Sequence, residues 1–174
     1  MLEDFNLLAT TYRGFERKAC FELKYLLEQI GSSGSDVRRC SIAGLIVAKA
    51  VSDSYEVVKK LRDILQSRPY EFRYILRLIP VEKVVHTRLS EIIDATENIG
   101  VKIGETETFR ITVEKRFTTM HSRDIIEAVA AKIKRKVDLN KPDKILLIEI
   151  VGGLTGVSLI DPNGILSVLK EKIL

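Results

Sequence analysis

TFRITVEKRFTTMHSRDIIEAVAAKIKRKVDLNKPDKILLIEIVGGLTGVSLI, residues 108–160, decides how this chain is read. Phe109, Ile111 and Val113 alternate with polar neighbours, the period of a half-buried strand. Ile126, Val129, Ala130, Ile133 and Val137 then recur at helical spacing and predict a basic helix over 123–137. KILLIEIV (144–151), the Gly152-Gly153 step and TGVSLI (155–160) predict two apolar strands joined by a tight turn. Lys115, Arg116, Arg123, Lys132, Lys134, Arg135, Lys136, Lys141 and Lys144 crowd the same stretch. Such a density suits phosphates, which hold a backbone in place without reading its sequence; a solvated protein face would look similar.

Outward from there, FNLLATTY predicts a strand, and Phe15, Ala19, Leu23, Leu26, Leu27 and Ile30 form a helical stripe that Gly31 closes. The Ala43-Gly44 step splits the apolar run 37–51 into a hairpin. A second helix starts near Ser52 or Asp53, buries Val57, Val58, Leu61, Ile64 and Leu65, and stops before Pro69, which cannot continue it. Tyr70 to Ile79 follows as a strand. The order strand, helix, strand, strand, helix, strand is that of a ferredoxin-like βαββαβ domain, expected at residues 1–80. Residues 81–174 then form a second α/β domain: a helix over 81–100, the basic stretch, and a terminal helix from Gly164. The expected fold class is α+β.

The TFRITVEKR strand, the Arg116 to Arg123 spacing, VDLNKP and IEIVGGLTGVSLI together resemble the THUMP domain, an RNA-binding module of tRNA-modifying enzymes. With FNLLATTYRGFERKACFELKYLL included, the whole chain is similar to the standalone THUMP proteins that assist tRNA cytidine acetyltransferase. That resemblance implies recognition of the tRNA acceptor stem and its single-stranded 3′ end. It also implies a partner enzyme that uses acetyl-CoA and ATP, neither of which this chain would bind. THUMP modules usually ride on a catalytic domain, and only a short tail follows Ile160, so binding is expected to be lent to another protein's chemistry.

Composition agrees with a folded nucleic-acid-binding protein. At 174 residues and 45% hydrophobic content the chain has enough apolar surface for a core. A formal charge of +4 is modest overall, so the position of the charge matters more than its sum. Cys20 and Cys40 are too few for a disulfide framework and lack metal-ligand spacing; both are expected buried and reduced. No run approaches a membrane span, and no signal peptide is legible, which predicts a cytoplasmic protein.

No nucleophile with its base, metal cage or phosphate loop has the spacing catalysis requires, so no enzyme and no cofactor are expected. His86 and His121 read as structural, and Gly152-Gly153-Leu154-Thr155-Gly156 as a hairpin turn, because no helix follows to bind an anion. Glu149 reads as half of a salt bridge at a sheet edge. The expected RNA-binding residues are Lys115, Arg116, Ser122, Arg123, Lys132, Arg135, Lys136, Lys141 and Lys144. Ser122 would cap the helix, with Arg116 and Arg123 clamping one phosphate or a terminal ribose. With Ile126 facing the core, Ala128, Ala131, Lys132 and Arg135 would form a small basic outer face. Lys136, Asn140, Lys141 and Lys144 flank VDLNKP and would extend the patch. Phe117 reads as a core residue at the strand's end, with stacking on a terminal base as its alternative role. A tRNA-binding adaptor is the leading expectation; a small enzyme of unrecognised chemistry and a protein-binding subunit stand beside it.

Overall fold

The computed structural model describes residues 4–172. Contacts divide them into two units: one runs to Val81 and takes up the chain again from Gly164, and the other is Glu82–Asn163. In the first unit the elements are β1 (Leu7–Thr10), α1 (Glu16–Gln29), β2 (Asp36–Arg39), β3 (Leu45–Lys49), α2 (Ser54–Ser67) and β4 (Arg77–Pro80). β1 pairs antiparallel with β3 and with β4, and β3 with β2, the strand order of a βαββαβ ferredoxin-like sheet. Being central, β1 is apolar on both faces: Leu7, Leu8 and Ala9 are all buried. Ala19, Leu23, Leu26 and Leu27 of α1 pack on the sheet with Val57, Val58, Leu61, Ile64 and Leu65 of α2. Asp53 caps α2 by accepting from Glu56 N at 3.1 Å. Gly31, at φ +78°, and Gly44, at φ +77°, supply the left-handed turns after α1 and before β3.

Two expectations fail here. The strand expected over Tyr70–Ile79 is a 3-10 turn at Pro69–Glu71, a loop, and β4 only from Arg77. The reason is local: the backbone N–H groups of Arg73, Tyr74 and Ile75 donate to the Glu22 carboxylate at 2.7–3.2 Å, so a side chain takes the place of a strand partner. The terminal helix expected from Gly164 begins instead as β10 (Leu166–Ser167), followed by the short α5 (Val168–Lys172). Its residues 173–174, like residues 1–3 of the first domain, lie outside the described residues. β10 pairs with β4 through Leu166↔Leu78, and Leu166 and Val168 enter the first unit's core. Arg62 holds Glu171 at 2.7 Å. The tail therefore belongs with residues up to Val81, not with the second domain: the order of that sheet is β10-β4-β1-β3-β2, its open β4 edge completed from far along the chain.

In the second unit β5 (Lys83–His86), α3 (Leu89–Gly100), β6 (Thr108–Arg116), α4 (Ser122–Ala130), β7 (Lys136–Val137), β8 (Lys144–Val151) and β9 (Leu154–Ile160) follow in turn. The sheet order is β5-β9-β8-β6-β7, with β6 parallel to β7 and β8. Phe109, Leu146, Ile148, Ile150 and Val157 meet Ile92 and Ile99 of α3 and Ile125 and Val129 of α4. Residues 81–100 are not one helix: Lys83–His86 is a strand because β-branched Val84 and Val85 pair on the β9 edge. The helix expected over 123–137 is nine residues long, since Lys136 and Val137 pair with Thr108 and Phe109. Its core direction is Ile125, with Ile126 only half-buried.

Both cysteines are free thiols and half-buried rather than buried. No helix among the described residues is long and apolar enough to cross a membrane.

Candidate nucleic-acid interface

The end of β6 is built by an ion pair. Arg116 Nη1 donates to Glu149 Oε2 at 2.8 Å, with the arginine side chain 18% and the glutamate 1% exposed. β7 pairs with β6 only at Thr108 and Phe109, so at Arg116 β6 is the edge of the sheet, and the bridge runs from that edge to Glu149 on the neighbouring β8. Gly152 N donates to Arg116 O at 2.8 Å, which leaves the chain to turn sharply at the next residue. That residue is Phe117, at φ +55° and 79% exposed. The core role expected for Phe117 is thus wrong: the period-two alternation that would bury it ends before Lys115, which is itself exposed. A left-handed, non-glycine, exposed aromatic is strained and unburied at once.

Beyond Phe117, Lys115 Nζ donates to Met120 O at 3.2 Å and folds the loop against the strand. His121, not Ser122, holds the cap position of α4, and no side chain caps it; Ser122 is the first helical residue. Arg123 pairs with Glu127 one turn on, at 3.0 Å and fully in solvent. Arg116 and Arg123 are therefore each engaged with a carboxylate. The two pairs differ in strength. An exposed helical pair is worth only ~0–1 kcal/mol and opens to a competing phosphate, whereas the Arg116 bridge is buried and structural.

A second group of cations lies past α4. Lys132, Ile133, Lys134 and Arg135 turn against the end of α3 and, with Glu97, Gly100 and Val101, line a concavity of about 290 Å³. A Cβ at Gly100 would meet Ile133 Cδ1 at 3.1 Å, so a side chain there would need Ile133 to give by a few tenths of an ångström. Arg135 Nε donates to Ile103 O at 3.0 Å and Gly104 O at 3.1 Å, and Nη1 to Lys134 O at 2.8 Å. It is a brace for the turn, off any helix face, yet carbonyls do not neutralise it. Lys132 and Lys134 are exposed and, among the described residues, in no ion pair.

Lys136 and Lys141 stand exposed around the VDLNKP loop. Asp138 accepts from Asn140 N and Lys141 N at 3.0 Å each, and the Lys141 amide, followed by that of Asn140, holds its carboxyl below the usual range. Arg110 Nη1 donates to Leu139 O at 3.0 Å. Lys144, by contrast, is paired with Asp161 at 2.7 Å and Glu107 at 3.6 Å, and the Asp161 hydrogen bond raises its pKa. It extends no free patch. Of the expected residues, Lys132, Lys136 and Lys141 are open cations; Lys115, Arg116, Arg123, Arg135 and Lys144 are engaged. On sequence alone Arg110 is passed over, Lys134 is counted among the cations without a place in the site, and Phe117 has base stacking only as an alternative role.

Residues 86–160 match the family model of the THUMP domain. This part of the chain is a THUMP domain. It reaches from the end of β5 to the end of β9 and holds every cation described above. An uncharacterised Methanocaldococcus jannaschii protein is 26% identical over 172 residues, covering 96% of this chain and 44% of its own length. A Pyrococcus horikoshii crystal structure superposes at a TM-score of 0.65, with 19% identity over 90% of this chain and 55% of that one. A 4-thiouridine synthetase solved with RNA and ATP superposes at 0.57, with 16% identity over 91% of this chain and 42% of that one. The chain spans less than half of the curated relative it matches, and the THUMP domain shares its fold with these structures.

Proposed function

We propose that this chain is a non-catalytic, cytoplasmic tRNA-binding adaptor. Its THUMP domain receives the acceptor stem and single-stranded 3′ end, and the bound tRNA is presented to a partner modification enzyme, a cytidine acetyltransferase. The carrying observation is the open set Lys132, Lys134, Lys136 and Lys141 on a THUMP domain, with Arg135 held beside them by backbone carbonyls. A-form stems are held by backbone and shape, for which unpaired cations beside a concavity are suited. Phe117, exposed next to Arg116 and ahead of α4, offers its face to a splayed terminal base. A similarly folded synthetase solved with RNA supports the same class of ligand.

The test is a titration of intact tRNA, and of the same tRNA trimmed of its 3′ single strand, at low and moderate salt. Saturable, salt-sensitive binding weakened by trimming is expected. Binding indifferent to the 3′ end would remove the acceptor-end reading. Addition of the chain to an acetyltransferase supplied with tRNA, acetyl-CoA and ATP should raise acetylcytidine formation; no effect would remove the adaptor role.

A further inference from the structure

The exposed aromatic rings of this protein are distributed unevenly. Among the described residues Phe117 is the one exposed Phe or Tyr ring of the THUMP domain, while Tyr12, Phe15, Phe21, Tyr25 and Tyr70 are all in the first unit. Three rings there are arranged against one another. Phe15 stacks on Tyr74 with centroids 5.6 Å apart and planes at 19°, and Tyr12 meets Phe15 edge-on at 6.4 Å. Lys18 Nζ sits 5.3 Å from the Phe15 centroid and 5.5 Å from that of Tyr74. Farther along α1, Arg17 lies 5.9 Å from the centroid of the exposed Phe21.

Arg13, Arg17, Lys18 and Arg73 outnumber Glu16 and Glu22 here, so the surrounding charge is positive. Glu16 accepts from Gly44 N at 2.8 Å and Gly14 N at 2.9 Å, and Glu22 from the amides of Arg73 to Ile75. Both carboxylates are thus turned onto loop backbone. Arg13, Arg17 and Arg73 flank the rings and, among the described residues, are in no ion pair. Tyr12 is 49% and Phe21 64% exposed, a cost in water that a covering ligand would offset.

We infer that this face is a stacking platform for unpaired bases: Tyr12, Phe15, Phe21 and Tyr74 take base faces while Lys18 and the flanking arginines hold the phosphates. Aromatic rings interleaved with uncompensated cations fit a single-stranded nucleic acid, whose bases present flat faces and whose backbone is anionic. A duplex hides its bases and would meet the cations alone. The platform lies outside the residues that match the THUMP domain and does not depend on the adaptor reading.

The chain contains no tryptophan, so Tyr12→Trp installs a single indole that reports on this face alone. The probes are a short unstructured single-stranded RNA and a duplex RNA of equal length. Saturable quenching by the single strand, several-fold tighter than by the duplex, is expected, and Phe21→Ala added to Tyr12→Trp should weaken it about tenfold. Quenching should persist when Lys132 and Lys134 of the THUMP domain are changed to Glu. Indole emission that stays constant while the RNA is demonstrably bound to the chain would overturn the platform. So would quenching that is equal for duplex and single strand and indifferent to Phe21→Ala, or quenching abolished by the THUMP changes. Failure of the tRNA titration would leave this result standing, so the two readings fail separately.

Discussion

Arg116 and Glu149 bridge β6 and β8 at 2.8 Å with the carboxylate buried, so the residue that immediately precedes the exposed Phe117 is held to the middle of the sheet. An arginine expected at the RNA surface is thereby engaged within the sheet. Arg116→Ala strips the cation from a carboxylate that is out of water, and breaking such a pair costs about 3–5 kcal/mol. Arg123→Ala touches only an exposed helical pair and should stay within about 0.5 kcal/mol of the parent. Urea unfolding of the two variants separates them; equal stabilities would show that the bridge carries no weight.

Phe117 occupies φ +55°, a region that costs a non-glycine residue about 1–2 kcal/mol. Its ring is almost wholly exposed, so little burial is lost on removal. Phe117→Gly should leave thermal stability unchanged or raise it slightly, while weakening the binding of a 3′-tailed tRNA several-fold. A variant that is less stable, or that binds as the parent does, would mean the ring packs rather than stacks.

Lys132 and Lys134 are open cations, and Lys144 is held by Asp161 and Glu107. Each open lysine that meets a phosphate contributes a released counterion. Lys132→Ala and Lys134→Ala are each expected to lower the slope of log affinity against log salt by about 1. Lys144→Ala should leave that slope in place and instead reduce stability. A salt series on the three variants distinguishes them, and an unchanged slope for both open lysines would place the RNA elsewhere.

The Asp138 carboxylate is stabilised in its charged form by the amides of Lys141 and Asn140, which depresses its folded pKa. A depressed carboxyl contributes stability that is present above its unfolded pKa, about 4, and is lost as pH falls through the lower folded value. Asp138→Asn should therefore be less stable than the parent at neutral pH, the deficit closing below about pH 4. Thermal unfolding against pH reads this directly, and a deficit independent of pH would assign the loss to packing.

Much of the architecture was legible in local pattern. The stripes of α1 and α2, the Asp53 cap, the Pro69 stop and the two hairpins at Gly44 and Gly152-Gly153 each rest on neighbours within a few turns of chain. The βαββαβ order and the mixed fold class follow from them. What escaped were the short edge pieces. β5 and β10 are strands because β9 and β4 have open edges, and no window of four residues or fewer reports a partner that distant. The end of α4 escaped for the same reason, being set by the pairing of Lys136 and Val137 with β6.

The candidate site divides along the same line. Sequence alone determined where the cations are concentrated and which domain they sit on, since charge is a property of composition and the THUMP pattern is a local run of strand, loop and helix. Only the tertiary structure decided which of those cations are free. Glu149, Glu107 and Asp161 occupy Arg116 and Lys144, and backbone carbonyls take Arg135, while among the described residues nothing arrives to cover Lys132, Lys134 or Phe117. A charge can act on a ligand only where folding has not already given it a partner, and partners distant in sequence are chosen by packing.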